Sequence, residues 1–582
     1  MQISRKRSVL VLFASAAAIA GPAVARAAEY YVSPTGSDTG DGTLAAPFAT
    51  LTRADSAAAA GYTIWVRGGT YTITAQVVLS KSGTSDSSRT KIWAYLGETP
   101  VLDASKYVTS NSAVDVPVVL VTGSWMHLRG LEISNAKVGA SGDHSYSLLR
   151  TKNASNNTFE LLKLHHGFGP GLFIDTGTGG NLILNCDSHD NYDKDGSQGD
   201  GQNGDGFGVH YQKTGPSTTI RGCRAWMDSD DGYDLISQEV PVTVEDSFAF
   251  QNGYGKDGNG NGFKMGSSQT GIRHIVQDNV AWKNKAAGFY ANHSSGGNTW
   301  YNNTAYNNGV QYNMLASSFD ASGNITGTIV LTGNKVHILR NNIGFPTKNS
   351  NMDGVDSGHN TWDLNLAETA ADFASTDPSG CDGPRQADGS MPVACTFLKL
   401  KAGSPLVDKG TDVGLPFVGA SPDLGAYEYG AMPATGGAGG SAAGGSTGTG
   451  GVASTGGGSG VGDAGAGGIL GTGGASRSDA DGGGNVGGTT GAAGGITTVA
   501  VGGSASGGGA VASGGNVAAG GMSSSGTLSG AGGSANAGGS RATGGGSSSG
   551  CGCELGGPAS ISHMTMLTLV ALGLLLRRRM RR

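Results

Sequence analysis

From Gly171 to Tyr306 the apolar and polar positions recur in two interleaved motifs. The first is a glycine, an apolar or aromatic residue, then a variable one. It occurs at Gly171-Leu172-Phe173, Gly206-Phe207-Gly208, Gly232-Tyr233-Asp234, Gly262-Phe263-Lys264 and Gly288-Phe289-Tyr290, with glycine steps of 35, 26, 30 and 26 residues. The second runs Cys223-Arg224-Ala225-Trp226, Ser247-Phe248-Ala249-Phe250, Asn279-Val280-Ala281-Trp282 and Asn303-Thr304-Ala305-Tyr306. Cys186-Asp187-Ser188-His189 opens that series and Asn342-Ile343-Gly344-Phe345 is a looser later copy. Asn252, Asn284 and Asn308 each lie two residues after an aromatic; Asn191 keeps the register and Asp228 departs from it.

Short alternating strands with polar turns at this spacing predict a solenoid. Each repeat is too short for a crossover helix, and a propeller blade needs about 40–50 residues. The expected fold is all-β, a right-handed parallel β-helix with equivalent residues stacked about 4.8 Å apart. Trp226, Phe250, Trp282 and Tyr306 then form an aromatic stack. The asparagines form a hydrogen-bonded ladder, since Asn tolerates left-handed backbone and carries both donor and acceptor. The uneven steps predict loops inserted at one corner, where a binding face develops.

The two ends of the chain read differently. Arg5, Lys6 and Arg7, an apolar run from Val9 to Ala20, and an A-x-A site near Ala27 form a secretory signal over 1–27. The β-helix is expected over 28–430. Between Ala431 and Gly550 there is no aromatic residue and 47 of 120 positions are glycine, which predicts a disordered linker. In the last stretch, 551–582, Cys551-Gly552-Cys553 precedes an apolar segment from Met564 to Leu576 and then Arg577, Arg578, Arg579, Arg581 and Arg582. With the residues before it this segment is just long enough to span a bilayer, the arginines staying cytoplasmic. The arrangement resembles the tripartite sorting tails of myxobacterial surface proteins. That resemblance implies processing near Cys551 and a product that is secreted or held at the cell surface, touching the membrane only through its tail.

Charge removes one class of partner. With 38 Lys+Arg against 44 Asp+Glu in 582 residues, the net charge of −6 offers no basic footprint for nucleic acid. Six cysteines suit an exported protein; Cys381 and Cys395 bracket a loop and are candidates to pair, as are Cys186 and Cys223 if their coils stack.

The register also gathers chemistry. Asp234 and Lys264 occupy the same slot on consecutive coils, with Gly208 in that slot one coil earlier. Asp205 and Asp231 share the slot before the glycine, and Asp230 adjoins Asp231. Such carboxylates repel unless a cation joins them, and an all-oxygen set, with the Leu235 carbonyl as a further ligand, favours Ca2+. Lys264, one rung away, is the candidate base. It must lose a proton whose pKa starts near ~10.4; a nearby cation lowers that value and a bare Asp234 raises it. A cation beside a neutral lysine suits a uronate polymer: the C5 proton is α to a carboxylate, and its removal expels the C4 oxygen by β-elimination.

The run Asn203-Gly204-Asp205-Gly206-Phe207, the run Cys223 to Asp234 ending Asp230-Asp231-Gly232-Tyr233-Asp234, and Gly260-Asn261-Gly262-Phe263-Lys264 resemble family 9 polysaccharide lyases of the pectate lyase type. Ala291-Asn292-His293 and Gly358-His359-Asn360-Thr361-Trp362-Asp363-Leu364 are similar too. The resemblance implies a right-handed parallel β-helix over roughly residues 29–430, Lys264 as Brønsted base, and Ca2+ held by Asp205, Asp230, Asp231, Asp234 and the Leu235 carbonyl. Arg224, Tyr233, Arg273, Lys285, Asn292 and His293 are candidates to bind the acidic polysaccharide, with His210 and Tyr290 lining the groove. Three alternatives stand beside this reading. One is a glycoside hydrolase using Asp230 and Asp231 as an acid/base pair. Another is a non-catalytic carbohydrate-binding solenoid at the cell surface. The third is a C5-epimerase that re-protonates the same intermediate. Terminal caps on a solenoid block end-to-end stacking, so a monomer is expected.

Overall fold

The computed structural model describes residues 28–266 and 271–431. The signal peptide, nearly all of the linker, and the sorting tail expected from the sequence lie outside the described residues. Among the described residues, no helix is long and apolar enough to cross a membrane.

Three parallel sheets wind into a β-helix. The first begins at Glu29–Val32 and ends at Asp356–Gly358, and holds twelve described strands. The second holds ten, from Val77–Leu79 to Asn349–Ser350, and the third also ten, from Gly69–Thr72 to Ile343–Phe345. Each coil passes from the first sheet to the third, then to the second; Leu182–Leu184, Asp187–His189 and Phe207–His210 make one such coil. A short helix, Leu51–Ala57, lies near the N-terminal end. Its Thr50 cap accepts from Arg53 N, Leu51 and Ala54 enter the core, and Asp55 accepts from Ser80 N at 2.9 Å.

The turn from the first sheet to the third is tight, with left-handed residues such as Asn185, Asp246, Asp278 and Asn302. Insertions fall at both other corners rather than at one. The corner before the second sheet takes 190–206, 251–262 and the short 227–232, and it carries the acidic residues singled out above.

Both motifs now have physical causes. In the first, the aromatic points inward: Phe207, Tyr233, Phe263, Phe289 and Tyr312 stack with centroids 4.6–5.2 Å apart. The glycine is fixed by close approach, since a Cβ on Gly262 would lie 2.7 Å from Gly288 O and 2.8 Å from Asn284 Nδ2. The variable residue faces out of the second sheet. In the second motif the small central residue, Ala225, Ala249, Ala281 or Ala305, faces the core, and the terminal aromatic faces outward. Trp226 stacks on Phe250 at 5.5 Å and Phe250 on Trp282 at 4.1 Å. The C-terminal segment covers this column with Phe373, Phe397, Leu398 and Leu400.

The asparagine ladder is present. Asn252 Nδ2 donates to Asn284 Oδ1 at 3.0 Å, and Asn284 Nδ2 to Asn308 Oδ1 at 2.9 Å. Asp228 belongs to it, accepting from Asn191 Nδ2 at 2.8 Å. A second ladder links the leading residues of the second motif: Cys186, Cys223, Ser247, Asn279, Asn303 and Asn342 each accept from the backbone N–H one coil back. Cys186 and Cys223 therefore stack but stay free and buried, whereas Cys381 and Cys395 form a disulfide.

Candidate active site

The second sheet presents an outward column whose register is Phe173, Gly208, Asp234, Lys264 and Tyr290 on successive coils. Beside it runs a column from the corner loops, in which each side chain caps the next coil. Asp205 Oδ1 accepts from Asp231 N at 3.1 Å, Asp231 Oδ1 from Asn261 N at 2.6 Å, and Asn261 Oδ1 from Ala287 N at 3.2 Å. These bonds fix the aspartates by one oxygen each and leave the other free to face the neighbouring column.

The two columns meet at Lys264. Its Nζ lies 2.9 Å from Asp231 Oδ2 and 3.1 Å from Asp234 Oδ2. Asp205, Asp231 and Asp234 each offer a carboxylate oxygen within 4.8 Å of the others, and all three are buried. Asp234 Oδ1 has no hydrogen-bond partner although it is buried. Asp230, next to Asp231 in the chain, is almost wholly buried, accepts from Asn259 N and is not one of the three converging carboxylates. The Leu235 side chain is in the core, and its carbonyl accepts from Gly266 N at 3.2 Å, which leaves one lone pair.

Electrostatics follow from this crowding. Burial first, then the neighbouring aspartates, push the Asp205 and Asp230 carboxyls well above the usual range. Asp231 and Asp234 are also raised by burial, with Lys264 pulling back. Burial alone would lower Lys264, but Asp231, Asp234, Asp230 and Asp205 together outweigh it, and the ammonium form is held well above its ordinary value. His210, whose Nε2 sits 3.9 Å from Asp234 Oδ2, is pushed down to about 3 by burial and then by Lys264. A buried all-oxygen cluster with an unpartnered carboxylate oxygen has the chemistry of a hard-cation site. The lysine beside it is a strongly basic group in direct contact with the cluster.

The structure separates the other sequence candidates. Arg224 does not face the groove: it is buried beneath the C-terminal segment, bonded to Asp187 at 2.6 Å and to the carbonyls of Cys381 and Gly383. Tyr233 is also excluded from the groove, because its ring is an inward rung of the core stack and its hydroxyl donates to Phe248 O at 3.1 Å. Arg273 donates to Asn334 O and Val336 O, tying down a corner of the first sheet. Lys285 donates to Gly258 O at 2.7 Å and to Gly255 O, bracing the loop that carries Asn259. Asn292 and His293 follow Tyr290 at the C-terminal side of the lysine; His293 Nδ1 pairs with Ser317 Oγ at 2.8 Å, and burial with Lys264 nearby lowers its pKa. Asn261 was missed. It holds the same slot as Asp205 and Asp231, so the glycine spacing could have found it.

The comparisons with known proteins place this parallel β-helix among the polysaccharide lyases. Residues 30–342 match the family model described as "Pel9A-like, right handed beta helix region". The protein therefore belongs to the family 9 pectate lyases. Pectate lyase L of Dickeya chrysanthemi is 34% identical over 394 residues, covering 66% of this chain and 86% of that protein. Pectate lyase PEL9 of Emericella nidulans is 32% identical over 399 residues, covering 63% and 90%. The crystal structure of pectate lyase Pel9A has a TM-score of 0.57 at 32% identity, covering 69% of this chain and 96% of that one. A rhamnogalacturonan lyase has the same TM-score at 29% identity, with 64% and 97% covered.

Proposed function

We propose that this protein is a secreted or surface-attached, Ca2+-dependent lyase that cleaves pectate or polygalacturonate by β-elimination. The carrying observation is the Lys264 ammonium set against Asp231 and Asp234 in an otherwise buried carboxylate cluster. Membership of the family and the names of the relatives support the substrate class. Asp205, Asp231 and Asp234, with Asp230 and the Leu235 carbonyl adjoining, would hold the cation. Bound there, Ca2+ would neutralise the carboxylates and serve as a Lewis acid toward a uronate carboxylate.

Lys264, once neutral, takes the C5 proton on Nζ. The C5–H electron pair becomes the C4=C5 double bond as the C4–O bond breaks, and the leaving oxygen is protonated from solvent. Asn261 and Asn259 hold Asp231 and Asp230 in place, so the cluster is organised before substrate arrives. The leader sequence and the Cys381–Cys395 disulfide support an extracytoplasmic site of action.

The test is ultraviolet absorbance of unsaturated ends during incubation with polygalacturonate, with Ca2+ and with EDTA. The reading expects a rise that EDTA abolishes. New reducing ends with no absorbance would mean hydrolysis and overturn it. Rhamnogalacturonan is the second substrate to assay, because the rhamnogalacturonan lyase structure matches with the same TM-score as Pel9A.

A further inference from the structure

On the N-terminal side of the acidic cluster the same outward face carries a second group of side chains that the mechanism does not use. Phe173 faces out one coil before Gly208, and its ring leans toward that glycine: a Cβ on Gly208 would lie 2.8 Å from Phe173 Cδ2 and 3.3 Å from Cε2. Phe173 thus reaches toward the coil next to Asp234. The ring is only partly buried. It is held in place from two sides. The Arg150 guanidinium carbon lies 4.9 Å from its centroid, and His210 meets it edge-on at 4.7 Å.

Arg150 is itself fixed, paired with Asp175 at 2.5 Å and with Asp115 at 2.9 Å. Its charge is largely spent on those two carboxylates. Lys152 differs. Its side chain is 54% exposed and makes only a long, 3.4 Å approach to the buried Asp175, a carboxylate already bonded to Arg150. A fixed, part-exposed aromatic ring and a weakly paired ammonium therefore lie on adjacent coils of one face, Phe173 about three rungs (~14 Å) and Lys152 about four rungs (~19 Å) from Lys264.

We infer that Phe173 and Lys152 form a binding subsite for one uronate residue of the polymer, with the sugar ring packed on Phe173 and its carboxylate paired with Lys152. The inference rests on the uronate-lyase reading above for the class of ligand. Gly208 is glycine here because a side chain would displace the ring that receives the sugar.

The test compares wild type with Phe173→Leu, Phe173→Ala, Lys152→Gln and Gly208→Ala on short and long oligogalacturonates. It measures KM and kcat by ultraviolet absorbance and equilibrium binding by calorimetry, using the full chain. Phe173→Ala is expected to raise KM for long oligomers about two- to tenfold, from the usual worth of one aromatic contact, with kcat little changed. Lys152→Gln is expected to raise it about two- to fivefold, an effect that shrinks as salt rises. Gly208→Ala should follow Phe173→Ala, and Phe173→Leu should fall between. Unchanged KM and unchanged affinity in both Phe173→Ala and Lys152→Gln would overturn the subsite, as would equal losses on the shortest and longest oligomers. A salt-insensitive loss at Phe173 with none at Lys152 would overturn the uronate assignment. Weaker binding in the variants of a wild type that releases no unsaturated product would uphold the subsite and defeat the lyase reading instead.

Discussion

Asp228 sits in an asparagine ladder with one polar group of the wrong kind, so Asp228→Asn should stabilise the protein. The residue is fully buried. Its Oδ1 accepts from Asn191 N at 3.2 Å and Asn191 Nδ2 at 2.8 Å, as an asparagine there would. Its Oδ2 has no partner. On the following rungs that second position is an amide nitrogen: Asn252 Nδ2 donates to Asn284 Oδ1 and Ala225 O, and Asn284 Nδ2 to Asn308 Oδ1 and Ala249 O. By register the equivalent acceptors for residue 228 are Asn252 Oδ1 and Ser188 O. Ionised, Asp228 would face them with no proton to give. Burial accordingly pushes the Asp228 carboxyl well above its usual range.

A buried unsatisfied polar group costs about 1–3 kcal/mol, and the substitution removes it without changing shape. The sign of the pH effect follows. The native state keeps the Asp228 proton at pH values where the unfolded chain has lost it. The wild type is therefore most stable below the unfolded value of ~3.9 and loses stability as pH rises toward the folded value. The gap in favour of the variant should be small in acid and widen to about 1–3 kcal/mol at neutral pH. Urea unfolding followed by tryptophan fluorescence, in EDTA and at several pH values, reads it as a shift in midpoint. A variant less stable than wild type at neutral pH, or a gap that does not grow with pH, would refute the reasoning.

Other consequences are as direct. Lys264→Ala should cut turnover by about 10²–10⁴-fold, the usual worth of a positioned base, while the chain stays folded. Because Lys264 must lose a proton whose ordinary pKa is ~10.4, activity should climb with pH and peak on the alkaline side, whereas an acid optimum would exclude Lys264 as the base. Asp193 is raised by burial to about 6, so its contribution to stability is full below the unfolded value of ~3.9 and is lost as pH rises to about 6; Asp193→Asn should flatten the unfolding profile across that window. Gly262→Ala forces a Cβ against Gly288 O and should cost about 1–3 kcal/mol, measured by urea unfolding.

The coil register was legible because it depends only on spacing. The glycine motif puts Asp234, Lys264 and Gly208 in one slot, and the structure pairs them in that register. It equally defines the slot shared by Asp205, Asp231 and Asn261. The direction in which a short strand faces was harder to read. Tyr233 and Asp234 are neighbours, yet one is a core rung and the other a site residue, and a strand of four residues carries too little alternation to tell them apart. Arg224 was misread for a different reason. Its partners, the carbonyls of Cys381 and Gly383, lie 157 and 159 residues away in the C-terminal segment, and local pattern holds no trace of that contact. The same segment turns the Trp226–Trp282 column from an expected stack into a second, outer core. Asp228 read as a departure from the ladder because it is an acid; by position it is a member.

The central claim is that Lys264 takes the proton while the aspartates hold the cation. It is tested most directly by measuring unsaturated product and Ca2+ affinity together, in wild type and in Lys264→Ala, at alkaline pH on polygalacturonate. The account predicts that the variant still binds Ca2+ and forms almost no unsaturated product. A variant that keeps wild-type turnover would contradict it.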